Sequence, residues 1–294
     1  MRKFTIASTR IVLALALVVG ISTAEGAIVA NFTGGAGSAS VDQYPGIGGD
    51  GWTTAWVENN DTNVFAEILS GSQLNGGGNY LSITNTVASS NGVRRSYETT
   101  GEVDLTQPHV IRFDWRFSGN YDHFNAVGDR FYIGDGSIAS GGQGSSTAFN
   151  IRAHGDERDT ANAKEWAVYN GTQDGGSVAD DHTKWVNTGM LMEHNVVYAF
   201  TITVDPANLE YDVSIFNGTT TVAVNDMGFN KLNANPLTGV LFFMSNKSTS
   251  ADSLTFGFDS VSISAVPEPT SLGLASCAAA IMGLVSRRGR RSSC

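Results

Sequence analysis

Apolar and polar residues alternate with a period of two through the middle of the chain. From His109 to Phe117 the apolar side chains Ile111, Phe113, Trp115 and Phe117 alternate with Arg112, Asp114 and Arg116. This pattern predicts a strand with one face on a core and the other turned away from it. Val196, Tyr198, Phe200, Ile202 and Val204 repeat the pattern, Asp205-Pro206-Ala207-Asn208 turns the chain, and Leu209, Tyr211, Val213 and Ile215 return. The pair reads as an antiparallel hairpin with a loop of about four residues. Val240 to Met244 has no polar interruption, as expected of a strand buried on both faces. Leu254, Phe256 and Phe258 alternate, but the next apolar residues are Val261 and Ile263. That change of parity calls for one extra residue near Asp259 and Ser260, a bulge. Further strands are predicted at Ala27 to Phe32, Tyr80 to Thr84, Val93 to Glu98, Arg130 to Ile133, Phe149 to Ala153, Lys164 to Tyr169 and Thr221 to Val224. No segment in this region holds a helical period over three turns. Asn-Gly at Asn91, Asn170 and Asn217 marks turns, Gly134 to Gly144 reads as a flexible hairpin loop, and Gly171 to Thr183 reads as a long polar loop. The expectation is a single all-β domain over residues 27–265, an antiparallel β-sandwich.

The two ends break the pattern. Residues 1–24 run from Arg2, Lys3 and Arg10 through the apolar Ile11 to Ile21 to the small residues Ser22, Thr23 and Ala24. This order is that of a secretory signal peptide, with cleavage after Ala24 or Gly26, and the apolar run is about half the ~20 residues a spanning helix needs. Residues 266–291 hold Pro267-Glu268-Pro269, an apolar stretch from Leu272 to Val285 expected to form a hydrophobic helix, and then Arg287, Arg288, Arg290 and Arg291. Pro-Glu-Pro, apolar helix and terminal arginines together resemble the PEP-CTERM sorting signal. The resemblance implies a partner, exosortase, which recognises and removes such tails. It also implies export to the cell surface, outer membrane or extracellular matrix of a bacterium with an outer membrane. Contact with a membrane is then expected only through the C-terminal helix, before processing.

Composition sharpens the picture once the ends are set apart. The 294 residues carry 18 Lys and Arg against 28 Asp and Glu, a net charge of −10. Seven of the bases lie in the two ends and all the acids lie between Glu25 and Glu268, so that span holds 11 bases against 28 acids, or −17. Such a domain repels nucleic acid, which is not an expected partner. Both cysteines, Cys277 and Cys294, belong to the tail, which leaves the domain no disulfide, thiolate metal site or cysteine nucleophile.

The central region also resembles the concanavalin A-like and laminin-G-like jelly rolls. The likeness is carried by Gly48-Gly49-Asp50-Gly51-Trp52, Ile111-Arg112-Phe113-Asp114-Trp115, the hairpin around Asp205-Pro206, and Phe256-Gly257-Phe258-Asp259-Ser260-Val261-Ser262-Ile263. It implies a jelly-roll sandwich that binds glycans or proteins, often with calcium, and some relatives of this type are glycoside hydrolases or polysaccharide lyases. A retaining glycosidase needs two carboxyl groups flanking the sugar. Glu210 and Asp212 share a strand face, but the alternating pattern of the jelly-roll glucanases lacks its second Glu, because Ser214 and Ile215 follow. No catalytic residue is assigned. A lyase assembled from His or Tyr in three dimensions stays open.

For binding, the candidates are Trp185, Trp52 and Trp56, aromatics near predicted loops with flat faces suited to sugar rings. Trp115 and Trp166 sit in apolar sets and read as core. Calcium is the one candidate cofactor. Asp156, Glu157 and Asp159 form one acidic group and Asp174, Asp180 and Asp181 another, either of which is also consistent with a solvated loop. The expected role is a non-catalytic glycan- or matrix-binding sandwich with an extracellular polysaccharide as partner. A polysaccharide-degrading enzyme of the same fold and a structural coat component are the alternatives.

Overall fold

The computed structural model describes residues 27–32, 52, 54–58, 63–71, 73–74, 77–97, 103–124, 128–136, 147–155, 164–171, 182–230, 240–247 and 253–266. The signal peptide, the sorting tail with Pro267, Glu268, Pro269, Arg287, Arg288, Arg290 and Arg291, and the acidic residues Asp156, Asp159, Asp174, Asp180 and Asp181 lie outside the described residues. Among the described residues no helix is long and apolar enough to cross a membrane.

Alternation yields strands: β1 (Ala27–Ala30), β2 (Val57–Glu58), β3 (Val64–Ser70), β4 (Asn79–Asn85), β5 (Ser90–Ser96), β6 (His109–Phe117), β7 (Arg130–Gly136), β8 (Thr147–His154), β9 (Glu165–Tyr169), β10 (Trp185–Leu191), β11 (Val197–Asp205), β12 (Glu210–Phe216), β13 (Thr221–Gly228), β14 (Val240–Asn246) and β15 (Leu254–Ala265). They form two antiparallel sheets. The eight-stranded sheet runs β13-β12-β11-β6-β15-β4-β3, with β1 added beside β15, and the seven-stranded sheet runs β10-β9-β8-β7-β14-β5-β2. The inward residues of both sheets close on one core, where Trp115 meets Trp166 edge-to-face at 5.0 Å and Phe243 stacks on Phe258 at 3.9 Å. The described part of the chain is thus an all-β, two-sheet antiparallel sandwich.

Several local readings hold in detail. β11 and β12 pair from Ala199↔Phe216 to Asp205↔Glu210. β15 shifts register on β6 between Asp259 and Ser262, with Ser260 at φ 55°. That bulge divides β15's other edge: residues up to Phe258 pair with β4 and Val261 to Ser264 pair with β1.

Others are corrected. Leu209 belongs to the turn, at φ 57°, rather than to the returning strand. Gly134 is a strand residue of β7, not part of a loop, because the ring of Phe242 on β14 occupies the place of a side chain: a Cβ there would meet its Cζ at 2.4 Å. Strands β2, β3 and β10 were not foreseen. β3 hides its alternation by carrying Phe65, 58% exposed, on its outward side. β10 is an edge strand with a register shift between Asn187 and Leu191.

Candidate functional site

In a strand buried on one side, side chains of the second set meet water. Across the middle strands of the seven-stranded sheet most of them do not. Leu241, Phe243, Phe131, Ile133, Ile151 and Val168 point into the core, and their neighbours in sequence turn to the outer face. There Tyr132, Phe242 and Met244 form a buried apolar cluster of their own, and Ala167, Tyr169 and Trp185 form another. The strand ladders place them in two rows. One row crosses from Val57 through Arg94, Phe242 and Gly134 to Asn150, and the other from Gly92 through Met244, Tyr132 and Arg152 to Ala167 and Asn187.

Arg152 is the centre of this face. It is 4% exposed, and its guanidinium carbon lies 3.7 Å from the ring centroid of Trp185, two strands away. Ala167, on the strand between, is small enough for the side chain to pass over it. Tyr169 meets the same indole edge-to-face at 5.1 Å. A guanidinium stacked on an indole keeps its plane fixed and gains cation–π attraction, on the order of 0.5–2 kcal/mol. Arg130, two residues before Tyr132, lies 5.7 Å from that ring, and Arg94 stands half-buried on β5.

Asn150 is 1% exposed, and neither its amide nitrogen nor its amide oxygen has a hydrogen-bond partner. A buried amide in that state carries a desolvation penalty that a bound polar group would relieve. Its backbone is held from the opposite sheet. The β8–β9 register runs from Ile151↔Val168 to Ala153↔Trp166. One step further, the hydroxyl of Tyr211 on β12 crosses the core and donates to the Tyr169 carbonyl. The same oxygen accepts from the Asn150 N–H at 3.5 Å. Burial raises the pKa of this phenol, so it stays a donor. Beyond Tyr169, the Gly171 N–H donates to the Gly228 carbonyl at 2.9 Å, tying this end of β9 to β13.

Charge divides between the two outer faces. The seven-stranded sheet presents Arg94, Arg130 and Arg152 against one described carboxylate, Glu165, whose Oε1 accepts from the Gly189 N–H. The eight-stranded sheet presents Glu67, Asp114, Asp205, Glu210, Asp212 and Asp259 against Arg112 and Arg116. Two of these acids, Asp114 and Asp259, are register partners. Burial, with Asp114 adding to it, pushes the Asp259 carboxyl up to about 6. Glu210 and Asp212 face away from the arginine-bearing face, and Asp212 Oδ1 accepts from the Asp226 N–H at 2.8 Å, a contact within the hairpin.

Of the three tryptophans expected to bind, only Trp185 stands on this outer face, at the start of β10 and 8% exposed. Trp56 is a core residue rather than a loop aromatic. It is 1% exposed and ringed by Phe32, Trp52, Phe243 and Phe258, because Val57 and Glu58 pair with β5 and draw it inward. Trp52 is half-buried, donates from Nε1 to the Val29 carbonyl at 2.7 Å, and lies under the Arg95 guanidinium at 4.3 Å. Trp166, read as core, is core. Sequence reasoning did not single out Arg152, Asn150, Tyr132 or Arg94. Asn150-Ile151-Arg152 and Arg130-Phe131-Tyr132 do carry a signal, polar side chains alternating with core residues in strands of a sandwich. Among the described residues no group of three or more His, Cys, Asp or Glu is arranged to hold a metal ion.

No protein-family model matches the chain, and no curated protein matches it. Solved structures are similar to it at low identity. An alginate lyase in complex with an alginate tetrasaccharide is 15% identical, covers 83% of this chain and 98% of its own, and has a TM-score of 0.45. Lectin II from Ulex europaeus is 13% identical, covering 71% of this chain and 94% of its own, with a TM-score of 0.39. The catalytic domain of a glycoside hydrolase family 131 protein from Coprinopsis cinerea is 9% identical, covering 69% and 78%, with a TM-score of 0.46.

Proposed function

We propose that the chain is an exported glycan- or matrix-binding protein of concanavalin A-like jelly-roll type, and that the outer face of its seven-stranded sheet is the binding face. The observation that carries this reading is a sheet face turned away from the core yet built from buried aromatic and polar side chains: Tyr132, Asn150, Arg152, Tyr169 and Trp185. Flat rings with polar tips beside an unsatisfied amide are the groups that sugar rings and hydroxyls use. Export and exosortase sorting complete the reading, with residues 1–24 as the leader and 266–291 as the sorting tail. Calcium, through Asp156 and Asp159 or through Asp174, Asp180 and Asp181, is an accessory part of the proposal.

A glycan array probed with and without calcium tests the binding claim, and a Trp185→Ala variant tests the face. Expected is selective retention on a subset of glycans, lost in the variant. Retention on none leaves a coat component as the better reading. The pairing of Tyr132 with Arg152 and of Arg130 with His154 across β7 and β8 favours one second reading, a lyase, since it gathers a phenol, an imidazole and cations on one patch. Release of unsaturated product from a bound polysaccharide would establish it. For sorting, intact-mass analysis of the exported protein should show Arg287 to Arg291 gone, and their presence on mature protein overturns processing.

A further inference from the structure

Independently of the glycan-binding reading, we infer that the open edge of β3 pairs two copies of this chain, strand to strand, about a two-fold axis. Five strands lie at sheet edges: β13, β3 and β1 in one sheet, β10 and β2 in the other. An edge offers unpaired N–H and carbonyl groups to any other chain, and folded sheets guard it with short strands, bulges, charge or cover. Four of the five are guarded. β2 is two residues long, and β1 is four residues long with its Val29 carbonyl already accepting from Trp52. β10 shifts register between Asn187 and Leu191. β13 breaks its ladder with β12 between Tyr211 and Val213, holds Asp226 at φ 59°, and is tied at Gly228 to the Gly171 N–H. β3 has none of these devices. Val64 to Ser70 run in unbroken register on β4, with no proline or lysine and Glu67 as the one charge.

The backbone of that edge points outward. The Thr86 N–H donates to the Asn63 carbonyl at 3.1 Å and the Gly71 N–H to the Gly78 carbonyl at 2.8 Å. These bonds lie at the two ends of the β3–β4 ladder and fix its phase. Odd-numbered residues of β3 bond to β4, so Val64, Ala66, Ile68 and Ser70 aim N–H and carbonyl away from it. Among the described residues no strand takes up those groups. Side chains add apolar surface beside them: Phe65, on the outer side of the sheet, is 58% exposed, and Leu69 on the same side is half-buried.

Symmetry and charge select the partner and the register. If core-facing residues stay on the core side across the junction, β3 meets its own copy antiparallel with Ala66, Glu67 or Ile68 on the axis. The Glu67 axis sets two carboxylates directly opposite each other and is disfavoured. The Ile68 axis sets Phe65 against the partner's Gly71 and leaves the ring uncovered. The Ala66 axis pairs Val64 with the partner's Ile68 and lays Phe65 over the aliphatic stem of the partner's Glu67, so both exposed rings are covered. One strand pair is a smaller contact than a permanent dimer buries, and two acidic copies repel. The pair is therefore reversible, populated as concentration rises and favoured by salt.

The test is sedimentation equilibrium of the exported protein over a range of concentrations, at low and high salt, with hydrogen exchange followed in parallel. Expected is a mass that rises from one chain toward two, sooner at high salt, with exchange slowed at the Val64, Ala66 and Ile68 amides in the dimer. Phe65→Glu removes the ring and faces the partner's Glu67, and should weaken the dimer about tenfold or more. Phe65→Lys faces the same carboxylate with the opposite charge, and should weaken it several-fold less at low salt. The same two substitutions at Phe216, 39% exposed on β12 and far along the sheet from β3, should change it little. Because Phe65 is exposed, dilute samples of its variants should melt with the parent. A single chain at every concentration and salt overturns the inference, as does a dimer whose formation leaves those amides exchanging as before. Equal weakening by Phe65→Glu and Phe65→Lys, or by Phe65→Glu and Phe216→Glu, overturns it too. Masses that climb past two chains would mean a head-to-tail contact in place of the two-fold pair, and overturn it as well.

Discussion

Two side chains show how single groups set the properties of this sandwich. Tyr211 reaches from one sheet to the backbone of the other, so its hydroxyl serves both the core and the candidate site. Tyr211→Phe leaves a buried carbonyl and a buried N–H without that partner, a loss of about 1–3 kcal/mol in thermal unfolding. Because those groups belong to Tyr169 and Asn150, ligand affinity should fall in the same variant. Asp259 works in the opposite sense. Its carboxyl is raised from 3.8 to about 6, chiefly by burial. Between those values the folded protein holds a proton that the unfolded chain has released, so stability falls as pH rises through this window and the full penalty is present at pH 7. Hydrogen bonds from the Ser260 backbone and side chain temper the effect. Asp259→Asn should therefore stabilise the protein at pH 7, by roughly 1–2 kcal/mol after allowance for screening, and match the parent near pH 3.5. Melting curves at the two pH values check it, and equal shifts at both would refute the carboxyl as the cause.

At the scale of strands, neighbours decide what local sequence leaves ambiguous. Gly134 looks like the start of a glycine-rich loop, yet it is the interior of β7 because Phe242 lies over it. Gly134→Ala forces that ring aside, with the Phe149 carbonyl oxygen a further 2.9 Å contact. The expected loss is about 1–3 kcal/mol, with weaker ligand binding because Phe242 borders Asn150 in the same row. An unchanged melting temperature would contradict this packing. The same dependence on neighbours explains what was legible beforehand. Strands with strict alternation or a continuous apolar run, β6, β11, β12 and β14, were readable, as was the parity break in β15. Edge strand β10 and the exposed Phe65 of β3 gave no such pattern. Trp185 could be picked as a ligand candidate from its polar surroundings, but Trp56 could not be told from it. What separates them is pairing with β5 and with β9, which is not local in sequence. Arg152 and Asn150 went unnoticed because an alternating strand predicts solvated polar residues, and here both are buried.

For the whole molecule, the order of strands sets where the folded unit begins and ends. β1, the first described strand, is zipped onto the last, from Ala27↔Ser264 to Ala30↔Val261, and the Val266 N–H donates to the Pro108 carbonyl at 3.0 Å. Ile28 and Phe32 are fully buried, with Phe32 packed on Trp56 and Phe258. Cutting after Ala24 or Gly26 spares this strand, whereas cutting after Phe32 removes it and bares an edge of β15. Losing two large buried side chains costs about 3–6 kcal/mol before the lost ladder is added, which is comparable to the whole stability of a domain. No cysteine lies between residues 27 and 266, so no covalent link can compensate. The expectation is that a chain of residues 27–266 folds with the melting temperature of the exported protein, whether or not reductant is present. A chain of residues 33–266 should be unfolded or strongly destabilised by circular dichroism. Equal stability of the two would mean that β1 is dispensable and that the folded unit begins further along the chain.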